Sequence, residues 1–242
     1  MLPPIKQFLT ISQEEAYTIL KNECNGDFDK LPQDKINEIL QPYIGSIFDI
    51  PEYIKLIKKM EKDFINLKGN PKANMKKFLN NMGKINDIFN PYKPCTKGCP
   101  NCCFIHVKIS ILEVILIEEY LNKNRKTEYR RKEYTLNDLL QRGTNAFFGS
   151  EYNGKKCPFL KNRECAIYVV RPYVCRRYII FENDNTKCGY NSDEAISQYM
   201  CGITETSYEN VIKQYLAKNP AHETNNVMFG DIREYFFEVN SV

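Results

Sequence analysis

The chain has 242 residues, 43% hydrophobic and 26% charged, with a formal net charge of +4. That is enough chain for one globular domain, or a domain with an attached lobe, and the charge is too mild to argue for a nucleic-acid partner. No apolar run is long enough to span a membrane, and Met1-Leu2-Pro3-Pro4-Ile5-Lys6 carries no apolar leader, so the expected location is cytoplasmic.

Residues 1–90 read as a helical N-terminal lobe. Ser12-Gln13-Glu14-Glu15 spells a capping box, and Pro32 and Pro42 punctuate the next segment. Asp49-Ile50-Pro51-Glu52 opens a long helix, in which Ile50, Ile54, Ile57, Met60, Phe64 and Leu67 recur at helical spacing. Gly69-Asn70 ends it, and Asn70-Pro71 caps and starts the next helix, which runs to about Phe89 with Gly83 as a weak point. Residues 91–107 are turn-rich. Ser110-Ile111-Leu112-Glu113 is a second capping box, opening a helix to about Asn122. Next come a charged loop over 123–134 and a short helix from Thr135 to about Phe148. The run Ile167-Tyr168-Val169-Val170 reads as a short strand or a helical turn. Asn191 to about Lys218 is amphipathic, and Asn219-Pro220 opens a last helix. With no βαβ alternation and no repeat, the expectation is a mainly α fold. A cysteine-rich domain occupies 91–205, and helices over 206–242 pack on it.

The unusual feature of the composition is ten cysteines against two histidines and no tryptophan. Cys24 stands alone and reads as a packing residue, whereas the other nine lie between Cys95 and Cys201. In a reducing compartment, clustered thiols argue for metal or redox chemistry over a disulfide scaffold. Cys95, Cys99, Cys102 and Cys103 sit within nine residues on a loop bearing Gly98 and Pro100. Such a loop can turn tightly around an ion. Cys157, Cys165, Cys175, Cys188 and Cys201 form a looser second group. His106 is a candidate ligand, although a structural role explains it as well. All nine arginines lie at or after Arg125. Arg125, Arg130, Arg131 and Arg142 read as a solvated face. Arg171 and Arg176 flank Cys175 and are expected to offset thiolate charge at a bound cofactor.

These motifs resemble one family. Cys95-x3-Cys99-x2-Cys102-Cys103, followed by a helix with an early Glu113, is similar to the signature of the CxxCxxCC family, also called YkgJ-like cysteine-cluster proteins, whose expected ligand is zinc or iron. Cys157-Pro158-Phe159-Leu160, then Cys165-Ala166-Ile167-Tyr168, then Arg171-Pro172-x2-Cys175-Arg176 matches the rest of that signature, and Cys201-Gly202 resembles its end. The resemblance covers about residues 91–205. It implies eight metal ligands: Cys95, Cys99, Cys102, Cys103, Cys157, Cys165, Cys175 and Cys201. One departure is the spacing of the first two cysteines, three residues here where many members have two. Some relatives are likened to flagellin lysine methylases, so the resemblance keeps methyl transfer, as well as redox chemistry, open.

Soft thiolates select iron, an iron–sulfur cluster or zinc. The lack of paired C-x2-C knuckles favours iron or a cluster over zinc. The adjacent pair Cys102-Cys103 suits a single ion poorly, because neighbouring side chains tend to point apart. Pro172 is expected to rigidify the turn that aims Cys175, with Tyr168 and Phe159 packed over the site. Two alternatives stand beside this reading. Cys95-x3-Cys99-x2-Cys102 also spells the cluster motif of radical S-adenosylmethionine enzymes, but Asn101 stands where an aromatic residue is usual and the chain has no βα repeats beyond it. The other is a non-enzymatic zinc module whose metal only holds the fold. Only His106 and His222 are available for acid–base pairing, and neither a catalytic triad nor a Gly-rich phosphate loop can be argued. The chain names no substrate or partner.

Overall fold

The computed structural model describes residues 7–9, 18–22, 33–40, 44–46, 50–92, 98–133, 150–179, 202–222 and 228–239. The chain divides into two compact units, Met1–Lys55 and Leu56–Val242, and its described part is mainly α. In the first unit, residues 18–22 are helical and α1 spans Gln33–Leu40. Strand β1 (Gln7–Leu9) pairs antiparallel with β2 (Ile44–Ser46), Phe8 opposite Gly45. The expectation of helix throughout 1–90 missed this pair, because three-residue strands that meet across a long loop leave no local period. The Ser12–Glu15 box, Pro32, Pro42 and Cys24 lie outside the described residues.

Helix α2 (Pro51–Ile65) contains the division between the two units, after Lys55. Ile57, Met60 and Phe64 are buried, but Ile54 is 36% exposed, so the apolar stripe is narrower than the sequence period suggested. The helix also stops before Leu67. Gly69, at φ +87, makes the turn, and the Asn70 side chain accepts from the Lys72 amide at 2.8 Å, capping α3 (Pro71–Phe89). Gly83 does not interrupt α3. A methyl there would meet Arg176 Nη1 at 3.3 Å, so the glycine marks a close approach.

Helix α3 is the platform of the second unit. It buries Met75, Phe78, Met82, Ile85 and Phe89 against α4 (Ile111–Lys123), α5 (Tyr173–Arg177) and α6 (Gly202–Leu216). Phe78 sits at the centre of an aromatic cluster, with ring centroids 5.8 Å from Phe64, 5.1 Å from Tyr173 and 5.6 Å from Tyr208. Both halves of the Ser110–Glu113 capping box are present at the start of α4. The amphipathic segment over 191–218 is described only as α6; residues 191–201, and the helix expected over 135–148, lie outside the described residues.

Of the helix expected after Pro220, the described residues hold a 3-10 turn, Pro220–His222, and Met228, which is helical; residues 223–227 lie outside them. There follow β7 (Phe229–Asp231), the short α7 (Ile232–Tyr235) and β8 (Phe236–Glu238). Strand β7 pairs with β3 (Lys108–Ser110) and β8 with β4 (Tyr129–Arg131), both antiparallel, so the segment brackets the two ends of α4. The loop expected over 123–134 therefore contains a strand. Both pairings join residues more than a hundred positions apart, which no local pattern encodes.

Candidate metal centre

Three segments carry the described cysteines. The first is a turn. Gly98, at φ +89 with open space where a side chain would start, lets the chain reverse. A 3-10 turn over Asn101–Phe104 comes next and is closed by the Cys103 amide donating to Pro100 O at 2.8 Å. The second is a hairpin of β5 (Leu160–Lys161) and β6 (Glu164–Cys165) with Leu160 opposite Cys165. Its two turn residues, Asn162 and Arg163, have φ of 50 and 64, as the tightest twisted hairpin turns require. The third is α5, which carries Cys175. The run Ile167–Val170, read as strand or turn, includes a 3-10 turn at Tyr168–Val170 that leads into it.

Each segment is tied down by a buried polar group. The Cys157 amide donates to Cys103 O at 2.8 Å, joining the first two. The Tyr173 amide, at the start of α5, donates to Glu113 Oε1 at 2.8 Å, while Glu113 Oε2 accepts from Tyr208 Oη at 2.7 Å and from both Ser110 N and Ser110 Oγ at 2.8 Å. Glu113, 2% exposed, thus does more than cap its own helix. Asn86 of α3 donates to Arg176 O at 2.7 Å.

These ties bring Cys99, Cys102, Cys103, Cys157, Cys165 and Cys175 to the walls of one cavity of about 660 Å³. All six are free thiols. Cys95, Cys188 and Cys201 lie outside the described residues. The pair Cys102-Cys103 departs from the expected divergence. In a 3-10 turn neighbouring side chains are not sent to opposite faces as they are in a strand, and here the Cys103 thiol donates to the Cys102 sulfur. That bond holds Cys102 down at about 7, against its burial and with help from Arg171, and raises Cys103 far above the usual thiol range. Burial pushes Cys157 up to about 12 and also raises Cys165 and Cys175. Most of these thiols are therefore neutral near pH 7. Among the described residues, no group of three or more His, Cys, Asp or Glu side chains is placed to hold a metal ion as it stands. The chemistry of the donor set nonetheless fits a thiophilic metal: six soft ligands face one space, and binding would exchange their protons for the ion.

Arg171 and Arg176 sit differently. Arg171 lines the cavity, and its positive charge lowers the pKa of Cys102, Cys165 and Cys175. Arg176 is buried, and burial brings its pKa down to about 10. It donates from Nε to Arg171 O at 2.9 Å and from Nη2 to Val169 O at 2.7 Å, so it fastens the loop that carries Arg171. Pro172 lines the cavity immediately before α5. Tyr168 lines it too and is 56% exposed. Phe159 is instead a core residue, with its ring centroid 5.0 Å from Tyr129 and 5.2 Å from Phe236.

His106 is not among the cavity-lining residues. Its ring stacks on Tyr152 with centroids 6.4 Å apart, and Nε2 lies 3.8 Å from Asp231 Oδ2. Burial lowers its pKa.

Arg233 escaped the sequence reading. Its Nη2 donates to Cys103 O at 3.2 Å, Ile105 O at 3.0 Å and Lys155 O at 2.6 Å, and its Nη1 pairs with both oxygens of the fully buried Asp231 at 2.9 Å. One guanidinium therefore clasps the turn bearing Cys102 and Cys103 to the stretch of chain that enters Cys157. Asp231-Ile232-Arg233-Glu234 is a capping box in its own right and could have been read from sequence; the reach of Arg233 could not.

The described helices include none long and apolar enough to cross a membrane. No curated protein and no solved structure matches the chain. Residues 94–209, close to half of the chain and holding every cysteine on the cavity, match the family model CxxCxxCC, described as "Putative zinc- or iron-chelating domain".

Proposed function

We propose that this protein is a cytoplasmic metal-centre protein holding iron or an iron–sulfur cluster, with zinc as the alternative ion. The ligands are drawn from Cys95, Cys99, Cys102, Cys103, Cys157, Cys165, Cys175 and Cys201. One observation carries the reading: six cysteines from three separate segments open onto a single cavity. Iron at such a centre supplies one-electron chemistry, or a site for group transfer including methyl transfer. The chain's own residues do the rest. Arg171 offsets thiolate charge, Arg176 and Asn86 hold the loop that carries it, and Glu113 and Arg233 brace the backbone on either side. The width of the cavity speaks against a structural zinc module, whose coordination is closed. The sheets among the described residues are two-stranded and antiparallel, which counts against the α/β barrel of radical S-adenosylmethionine enzymes.

The deciding experiment is metal analysis with an absorption spectrum on protein purified without oxygen. Stoichiometric iron with sulfur-to-iron charge-transfer bands is expected. Stoichiometric zinc in a colourless sample would replace iron by zinc in the proposal. A colourless, metal-free and stably folded protein would overturn the metal centre altogether.

A further inference from the structure

The cavity is larger than its sulfurs need. At about 660 Å³ it falls within the range of sites for small organic ligands, whereas a metal ion needs only the part nearest its donors. Away from the sulfurs its lining is of another kind: Val107, Ile167, Ile179 and Ile232 are apolar, and Tyr168 and Arg171 supply an aromatic face and a cation.

Arg171 is the informative residue. Its guanidinium stacks on the Tyr168 ring, with Cζ 4.3 Å from the centroid. Its Nη2 makes one long hydrogen bond, 3.3 Å to Asn86 Oδ1. Its Nε is buried and has no hydrogen-bond partner among the described residues. A buried N–H left without an acceptor carries a free-energy cost that a native site normally removes. Guanidinium geometry specifies the acceptor: Nε–H and the adjacent Nη2–H point the same way and match the two oxygens of a carboxylate. Aliphatic walls next to that fork favour an apolar body on the same molecule.

From this we infer that the cavity binds a small carboxylic acid with an apolar or aromatic body, its carboxylate side-on to Arg171 and its body against the isoleucines, beside the sulfur wall. The inference deepens and rests on the metal-centre reading, because the ligand would lie beside the metal held by the sulfur wall, with the Arg171 guanidinium supplying the positive charge that meets its carboxylate. It makes Arg171 a substrate- or ligand-binding residue in addition to a charge-balancing one.

The test uses the full chain with its metal counted on the same sample, and 4-phenylbutyrate and its neutral isostere 4-phenylbutyramide as probes in calorimetric titrations. The acid should bind about tenfold or more tightly than the amide. Arg171→Gln should bring the two affinities together, and Arg171→Lys, which keeps the charge but not the fork, should retain part of the difference. Equal binding of acid and amide by the unaltered protein would overturn the inference. So would binding of neither, or a preference that survives Arg171→Gln. Phenyl phosphate binding more tightly than the acid would overturn the carboxylate assignment. If Arg171→Gln does not fold, the unaltered protein and Arg171→Lys still decide. A chain with its full metal and no preference for the acid refutes this inference alone, whereas a chain that never retains metal refutes the metal centre whatever the titration shows.

Discussion

Arg233 shows how much a single side chain can do at a site it does not line. Its side chain is 9% exposed, and the carboxylate it pairs with, Asp231, is fully buried. Removing a buried charge leaves its partner uncompensated, a loss of roughly 3–5 kcal/mol. Arg233→Gln is therefore expected to destabilise the folded chain by about 3 kcal/mol, measured by urea denaturation, with Arg233→Lys intermediate because it keeps the charge and loses the fork. A change below about 0.5 kcal/mol would show that the clasp on Cys103 and Lys155 is incidental. Glu113 is a comparable case. Its place in a capping box was legible in four consecutive residues, but its bond to the Tyr173 amide joins positions sixty residues apart. The sequence motif explained the residue too early, since a box satisfied within one helix gave no reason to look for a second partner.

Among the elements, α3 decides where the third cysteine segment lies. Its Asn86 holds Arg176 O, and its Gly83 lets Arg176 approach. In a free helix, Gly→Ala gains about 1 kcal/mol. Here the new methyl would meet Arg176 Nη1 at 3.3 Å, and Arg176 cannot easily give way because its Nε and Nη2 are fixed on two carbonyls. Gly83→Ala is thus expected to gain none of that stability in thermal denaturation, and to weaken metal retention by shifting the Arg171 loop. A full gain of about 1 kcal/mol would mean that Arg176 adjusts freely. Sequence reading treated Gly83 as a weak point because propensity sees only the helix, whereas the packing partner that demands glycine comes from a segment some ninety residues on. The Asn70-Pro71 start of α3 and the Ser110 start of α4, by contrast, were legible because both caps are made by neighbours in sequence.

For the molecule as a whole, metal loading and pH should be coupled. Burial keeps Cys157, Cys165 and Cys175 protonated at neutral pH, and its bond to Cys102 does so for Cys103. As the proposed ligands, each would lose a proton on binding the metal. Binding therefore releases protons, and affinity falls as pH falls, by about tenfold per pH unit for every proton released. Competition against a chelator at pH 6.5 and 7.5 should show weaker binding at the lower pH, with a slope above one proton per ion; a flat profile would mean that the ligands are already ionised. Stripping the metal should also lower the melting temperature, since a ligand that binds only the folded state stabilises it. An unchanged melting temperature would show that the cysteine segments hold their places without it.

The sequence by itself determined the number and spacing of the cysteines and the local punctuation of the helices. Cysteine identity, cysteine spacing and the caps at Asn70 and Ser110 are written in residues close together, where pattern and physics coincide. Tertiary structure alone decided the pairing of β3 with β7 and β4 with β8, the clasp of Arg233 on the cysteine turn, and the gathering of six thiols and Arg171 around one cavity. Those features depend on contacts between distant segments, and such contacts come from packing of the whole chain, which no window of sequence contains. The cysteines could be counted from the sequence; that they leave room beside them, with a buried donor unpaired among the described residues, could be seen only in the fold.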